Sequence, residues 1–180
     1  LFGLKDAPWK SARIKIIATL RDIIIQYREL PAPPSSCTAM FASLTRKHPE
    51  AKALPYHREW GALLDARKQG FDEALLVDKK GFVREGAISS LFWVNDGVLC
   101  TMREGVLSGI TRAKVIVKAK ILGIPFQYGT VTKTELLSMD EVFLARSTTG
   151  VIPVMKIGKN FIGERNNHTN SPTIFSSIAS

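Results

Sequence analysis

Apolar and polar positions along this chain follow two rhythms, and the switches between them set the expected elements. Residues 13–18 (RIKIIA) and 22–27 (DIIIQY) are β-branched runs separated by Thr19-Leu20-Arg21. They predict two strands, paired as a hairpin or lying at adjacent sheet edges. Pro31, Pro33 and Pro34 fix φ and remove backbone donors, so a loop is expected over 30–36, with a further strand over 38–44. From 55 to 69 the period changes. Trp60, Leu63, Leu64 and Arg67 recur at helical spacing, Pro55 suits a first helical turn, and Gly70 suits the left-handed position after the last.

Further on, strands are expected at 74–77 and 82–85 around the turn Asp78-Lys79-Lys80-Gly81, and at 90–94 and 98–101 around Asn95-Asp96-Gly97. The Asp-Gly pair is a strong hairpin signal. Residues 111–122 predict a helix with Val115, Ile116, Ala119 and Leu122 on one face, closed by Gly123. Strands at 141–145 and 151–154 flank the polar turn 146–150. The sum is a strand-rich α+β domain with two good helices rather than repeating βαβ units. Residues 166–180 read as a polar tail, free to fray.

Composition adds limits. With 180 residues, 45% hydrophobic and 23% charged, the chain suits one globular domain with a substantial core. No run approaches the ~18 apolar residues of a membrane helix, so no membrane partner is expected. Cys37 and Cys100 stand far apart, and only His48, His57 and His168 accompany them. That predicts two buried free thiols, no metal site, and a cytosolic or organellar chain rather than a secreted one. The net charge of +9 is scattered without a dense tract, which reads as solvated surface rather than a nucleic-acid interface. The opening Leu1-Phe2-Gly3-Leu4 lacks an initiator Met and a signal-peptide layout, so a start inside a longer chain is expected.

Four features could carry chemistry, each beside a plainer alternative. Lys52 precedes the first helix, and a desolvated lysine becomes a Schiff-base nucleophile, although most lysines are simply solvated. Glu85 ends a strand, where a buried carboxylate could pair with a cationic ring nitrogen; a surface hairpin glutamate is the alternative. Ser108-Gly109-Ile110-Thr111-Arg112 opens a helix whose free N–H groups and dipole suit a phosphate, or it is an ordinary N-cap. Ser147-Thr148-Thr149-Gly150 offers hydroxyls and backbone donors to a second anionic group, or is a common turn. No Walker loop, dinucleotide-binding glycine motif or nucleophile elbow is present.

The order of these features resembles the class IV aminotransferases, the fold-type IV pyridoxal-phosphate enzymes. These include branched-chain and D-amino-acid aminotransferases and 4-amino-4-deoxychorismate lyases. Lys52-Ala53-Leu54-Pro55 is similar to the family's Lys-x-Leu-Asn segment. Gly81-Phe82-Val83-Arg84-Glu85-Gly86 through Ser89-Ser90-Leu91-Phe92 resembles Gly-x-Val-x-Glu-Gly-x-x-Ser-Asn-x-Phe. Leu107-Ser108-Gly109-Ile110-Thr111-Arg112 resembles Leu-x-Gly-Ile-Thr-Arg, and Met139-Asp140-Glu141-Val142-Phe143, Ser147-Thr148-Thr149 and Pro153-Val154 complete the series.

The resemblance implies pyridoxal 5′-phosphate as cofactor and transfer of an amino group between an amino acid and a 2-oxo acid. Lys52 would hold the cofactor as a Schiff base and shuttle the Cα proton. Glu85 would pair with the pyridine nitrogen, and Leu107 would pack on the ring. Gly109, Ile110 and Thr111 would bind the phosphate with Ser147 and Thr148. Thr148 and Thr149 would face the substrate carboxylate, and Arg146, unusual for the family beside this turn, would contact substrate or phosphate. A homodimer is also implied. Pro55 and Ser90 stand where the family carries asparagine, and Tyr56 lies near the place of a cofactor-facing tyrosine in branched-chain enzymes. The expected layout is residues 1–11 as the end of a missing N-terminal small domain, 12–165 as the larger cofactor-binding domain, and 166–180 as the tail. Gly150-Val151-Ile152-Pro153 looks more lyase-like, leaving 4-amino-4-deoxychorismate lyase as the alternative activity. A truncated, non-catalytic dimerising or binding module is the second.

Overall fold

The structure, a computed structural model, describes residues 11–51, 56–163 and 173–180. The chain divides into two compact units, Leu1–Pro33 and Pro34–Ser180. In the first, β1 (Ala12–Ala18) and β2 (Ile23–Glu29) form the expected antiparallel hairpin, with Ile16 opposite Ile25 and Ala18 opposite Ile23. Thr19 closes the turn: its Oγ1 accepts from Asp22 N–H at 2.8 Å and from Arg21 N–H at 3.2 Å.

The second unit is built on a nine-stranded mixed sheet. Its strands are β3 (Cys37–Ser43), β4 (Glu73–Val77), β5 (Val83–Gly86), β6 (Ser90–Asn95), β7 (Val98–Thr101), β8 (Phe126–Tyr128), β9 (Glu141–Arg146), β10 (Gly150–Ile157) and β11 (Asn160–Phe161). They run in the order β5-β4-β3-β10-β9-β6-β7-β8, with β11 paired to β10. Two parallel pairings, β3 with β4 and β7 with β8, have helices as their crossovers: α1 (His57–Lys68) and α2 (Ile110–Ile121). The remaining helices are α3 (Lys133–Leu137) and α4 (Ile174–Ala179). The α+β expectation holds, with these two crossovers set into a sheet of otherwise mostly antiparallel pairs.

Both faces of the sheet are buried, which explains why its strands read as apolar runs. Successive side chains point to opposite faces. Leu91 and Trp93 of β6 join Leu75, Met102, Val142 and Ile152 in one core. Phe92 and Val94 pack instead with Val115, Ile116 and Ala119 of α2 and Ile178 of α4. Ala74 and Leu76 of β4 meet Leu63 and Ala66 of α1 in a third cluster. The turn between β6 and β7 has φ of 49° at Asp96 and 76° at Gly97, the left-handed pair that a two-residue hairpin needs.

The structure departs from the sequence reading in several places. The buried face of α1 is Leu63 and Ala66; Trp60 is 47% exposed and Leu64 is also exposed. Strands β8 and β11 and helix α3 were not anticipated, and Leu122, expected on the apolar face of α2, is exposed. Helix α3 carries a capping box, with Thr132 Oγ1 accepting from Glu135 N–H and Thr132 N–H donating to the Glu135 carboxylate. Of the expected polar tail, 166–172 lies outside the described residues. The rest holds α4, whose Ile178 is buried and whose first N–H groups donate to Glu141 at 2.9 and 2.7 Å. Cys37 and Cys100 are free and buried as expected. Burial pushes the Cys37 thiol up to about 12, helped by the charges of Asp72 and Glu73.

Candidate active site

Lys52, with Ala53, Leu54 and Pro55, lies outside the described residues. The other candidates can be placed. Glu85 sits on β5, which hydrogen-bonds to β4, and its side chain is only 3% exposed. Its Oε2 accepts from the Leu107 N–H at 3.2 Å. Its Oε1 faces Arg46, whose Nη1 is 3.0 Å away, yet this oxygen accepts no hydrogen bond from the described residues. Burial pushes the Glu85 carboxyl up to about 7, against the pull of Arg46, the Leu107 N–H and Arg112.

Leu107 also links Glu85 to helix α2, because its carbonyl accepts from the Gly109 N–H at 2.9 Å. Gly109 is the N-cap of α2 in extended conformation, and no side chain caps the helix. Its first turn contains no acidic residue, and Ile110 is 72% exposed. The positive end of the helix is therefore open to an anion. A Cβ at Gly109 would lie 3.2 Å from Ser90 Oγ, so this backbone fits closely against β6. Arg112 fixes the turn from below: it donates to the Met102 carbonyl and, through Nε, to Thr101 Oγ1 at 3.4 Å. Thr101 in turn donates to the Leu91 carbonyl at 2.7 Å.

Ser90 pairs across the sheet with Ala145, two residues before Ser147. Ser90 thus stands between the Ser147-Thr148-Thr149 turn and the N-terminus of α2. The sheet brings Gly109, Ile110 and Thr111 to the same end as that turn. Within the turn, Arg146 Nε donates to Thr149 Oγ1 at 2.7 Å, so this arginine braces its own loop.

Sequence reasoning missed two neighbours and gave a third no firm role. Arg46, which follows β3, and Glu59, in the first turn of α1, were not singled out. Tyr56, the N-cap of α1, was noted only as near a family position. Arg46 Nε lies 3.6 Å from a Glu59 carboxylate oxygen, and its guanidinium lies 5.4 Å from the Tyr56 ring centroid. Tyr56 Oη and Arg46 Nε, like Glu85 Oε1, are buried without a hydrogen-bond partner among the described residues. Three unmade hydrogen bonds in one cluster are unusual in a folded interior and mark a place where a polar ligand group would be bound. No motif spacing signals this cluster, because the β3-α1-β4 crossover creates it.

The model of the family described as amino-transferase class IV matches residues 3–157. The chain belongs to that family. It is 37% identical over 120 residues to a Methanocaldococcus jannaschii protein assigned as a branched-chain-amino-acid aminotransferase, covering 66% of this chain and 42% of that relative. Among class IV structures, the branched-chain aminotransferase from Thermoproteus uzoniensis with norvaline superposes with a TM-score of 0.77 at 30% identity, over 87% of this chain and 54% of the other. The T.th. branched-chain aminotransferase complexed with N-(5′-phosphopyridoxyl)-L-glutamate gives 0.72 at 31% identity, covering 87% and 54%. A Legionella pneumophila structure assigned as a 4-amino-4-deoxychorismate lyase reaches 0.76 at 24%, covering 87% and 59%, and shares the fold. The class IV chain spans about half the length of these structures and less than half of the curated relative.

Proposed function

We propose that this chain is the cofactor-binding part of a pyridoxal-phosphate-dependent aminotransferase that moves an amino group from a branched-chain amino acid to a 2-oxo acid. One observation carries the reading: the buried Glu85 has one oxygen fixed by Leu107 and the other beside Arg46 with no hydrogen bond among the described residues, and the same Leu107 leads into the uncapped start of α2. A ring with a protonated nitrogen at one end and a phosphate at the other meets both demands, so the residues present fit pyridoxal phosphate. The relatives named for branched-chain substrates support the choice of amino donor.

When bound, the cofactor supplies an electron sink for the substrate Cα. Each residue then has a task. Glu85 keeps a proton on the ring nitrogen. The N–H groups of Ile110 and Thr111, with the Thr111 hydroxyl, hold the phosphate, and Ser147 and Thr148 approach it from the other side. Leu107 covers the ring face. Lys52 would hold the cofactor through its carbonyl carbon and would carry the proton between the substrate Cα and that carbon. Thr148, Thr149 and Arg146 orient the substrate carboxylate. The complete protein works as a homodimer, as the family resemblance implies, and its two free thiols suit a cytoplasmic or organellar setting.

The experiment that tests the reading is a two-substrate assay on the full-length protein. Loss of the amino group from leucine, valine or isoleucine should require a 2-oxo acid acceptor. Pyruvate release from aminodeoxychorismate with no acceptor present would replace transamination by the lyase activity.

A further inference from the structure

The Arg46 guanidinium lies between two carboxylates. Nη1 is 3.0 Å from Glu85 Oε1 and Nε is 3.6 Å from Glu59 Oε1. All three side chains are nearly out of water, at 8%, 3% and 12% exposure for Arg46, Glu85 and Glu59. Nη2 donates to the Ala87 carbonyl at 3.3 Å, and the Tyr56 ring lies alongside. Yet neither Arg46 Nε nor Glu85 Oε1 completes a hydrogen bond among the described residues. The arginine is half-paired to each acid and fully paired to neither.

This arrangement meets a difficulty when the site fills. Leu107 already donates to Glu85 Oε2, so Oε1 is the oxygen with no hydrogen bond among the described residues for a cationic N–H to meet, and Arg46 stands there. Two cations on one oxygen in a poorly solvated pocket repel strongly. A guanidinium carries its donors in a rigid planar fork, so a small pivot exchanges one carboxylate for another. The Arg46–Glu59 separation is within reach of such a pivot.

We propose that Arg46 changes partner as the site fills, serving as counter-ion to Glu85 beforehand and to Glu59 afterwards, which makes Glu59 a positioning residue for the cofactor's ring nitrogen. This rests on the pyridoxal-phosphate reading above. The exchange gives each buried carboxylate its own cation once the site is filled. Before loading, Arg46 is shared by both acids; after it, the ring N–H neutralises Glu85 and Arg46 neutralises Glu59. Arg112, the other cation acting on Glu85, is held by Met102 and Thr101 and stays in place.

The test compares pyridoxal 5′-phosphate with its 1-deaza analogue, in which carbon replaces the ring nitrogen, by equilibrium dialysis against the full-length protein. Glu59→Gln should weaken pyridoxal phosphate about tenfold or more, the scale of one buried charge partner, while changing the deaza analogue less than about twofold. Glu59→Asp should restore most of the loss. If Glu59→Gln folds poorly, Arg46→Lys, which keeps the charge but not the fork, should show the same split. Equal weakening of both compounds would make Glu59 a mere support of α1 and overturn the proposal, as would no weakening of either. If neither compound binds the wild-type protein, the cofactor reading itself fails and the proposal falls with it.

Discussion

The Leu107 N–H donates to Glu85 Oε2 at 3.2 Å, while the Leu107 carbonyl receives the Gly109 N–H at 2.9 Å. One residue thus ties the carboxylate expected at the ring nitrogen to the helix start expected at the phosphate. Two ends of a single ligand are set by one short stretch of backbone. A shift at either end is transmitted to the other.

Replacing Glu85 by Gln should lower turnover by about 100-fold or more, the scale of one preorganised electrostatic partner. The amide accepts weakly from a ring N–H and leaves Arg46 without its nearer counter-ion. Steady-state kinetics at saturating cofactor measures the loss. An unchanged kcat would separate Glu85 from the chemistry.

Stability of the cofactor-free protein should depend on pH through the same residue. Burial raises Glu85 from 4.5 to about 7, so between these values the folded chain holds a proton that the unfolded chain has lost. Its stabilising contribution is full below about 4.5 and is lost as pH rises through about 7. Burial also raises Glu73, against its bonds from Ser89 and the Ala74 N–H, so it acts in the same direction. Urea midpoints should fall from pH 5 to pH 8 more steeply in wild type than in Glu85→Gln. Parallel slopes would place the titration elsewhere.

Gly86→Ala should destabilise the protein by about 1–3 kcal/mol, the usual cost of forcing atoms into a packed interior. The added Cβ would lie 2.1 Å from Ser89 Oγ and 3.1 Å from Glu73 Cδ, disrupting the 2.8 Å Ser89–Glu73 hydrogen bond. Thermal unfolding reports the change. A melting temperature equal to wild type would contradict the packing described.

Much of this was legible in the sequence, for physical reasons that differ by element. Strands β4, β6 and β9 are buried on both faces, so each reads as a dense apolar run. The hairpins at Asp96-Gly97 and Gly81 follow from turn chemistry. Strand β8 is too short to show a period, and the Thr132-x-x-Glu135 capping signal of α3 was present but passed over. The face of α1 was misread because Trp60 looks like core, although the packing partner of β4 is Leu63. Glu85 and Gly109 became candidates through the order of motifs, not through their own neighbours. Arg46 and Glu59 were invisible because only the crossover brings them beside Glu85.

A negative charge at the start of α2 should repel the phosphate and nothing else. Thr111→Glu should weaken pyridoxal 5′-phosphate about tenfold, at the upper end of helix-terminus effects, and leave pyridoxal, which lacks the phosphate, nearly unchanged. Titrations with the two compounds decide it. Equal losses for both would mean that the turn is damaged rather than that a phosphate site has been blocked.

The central claim is that this family member holds pyridoxal phosphate on Lys52. Borohydride reduction of the loaded full-length protein, followed by peptide mass mapping, tests it most directly. The account predicts a reduced phosphopyridoxyl adduct on Lys52 in wild type and none at that peptide in Lys52→Ala. An adduct on another lysine, or none in wild type after incubation with the cofactor, would contradict it.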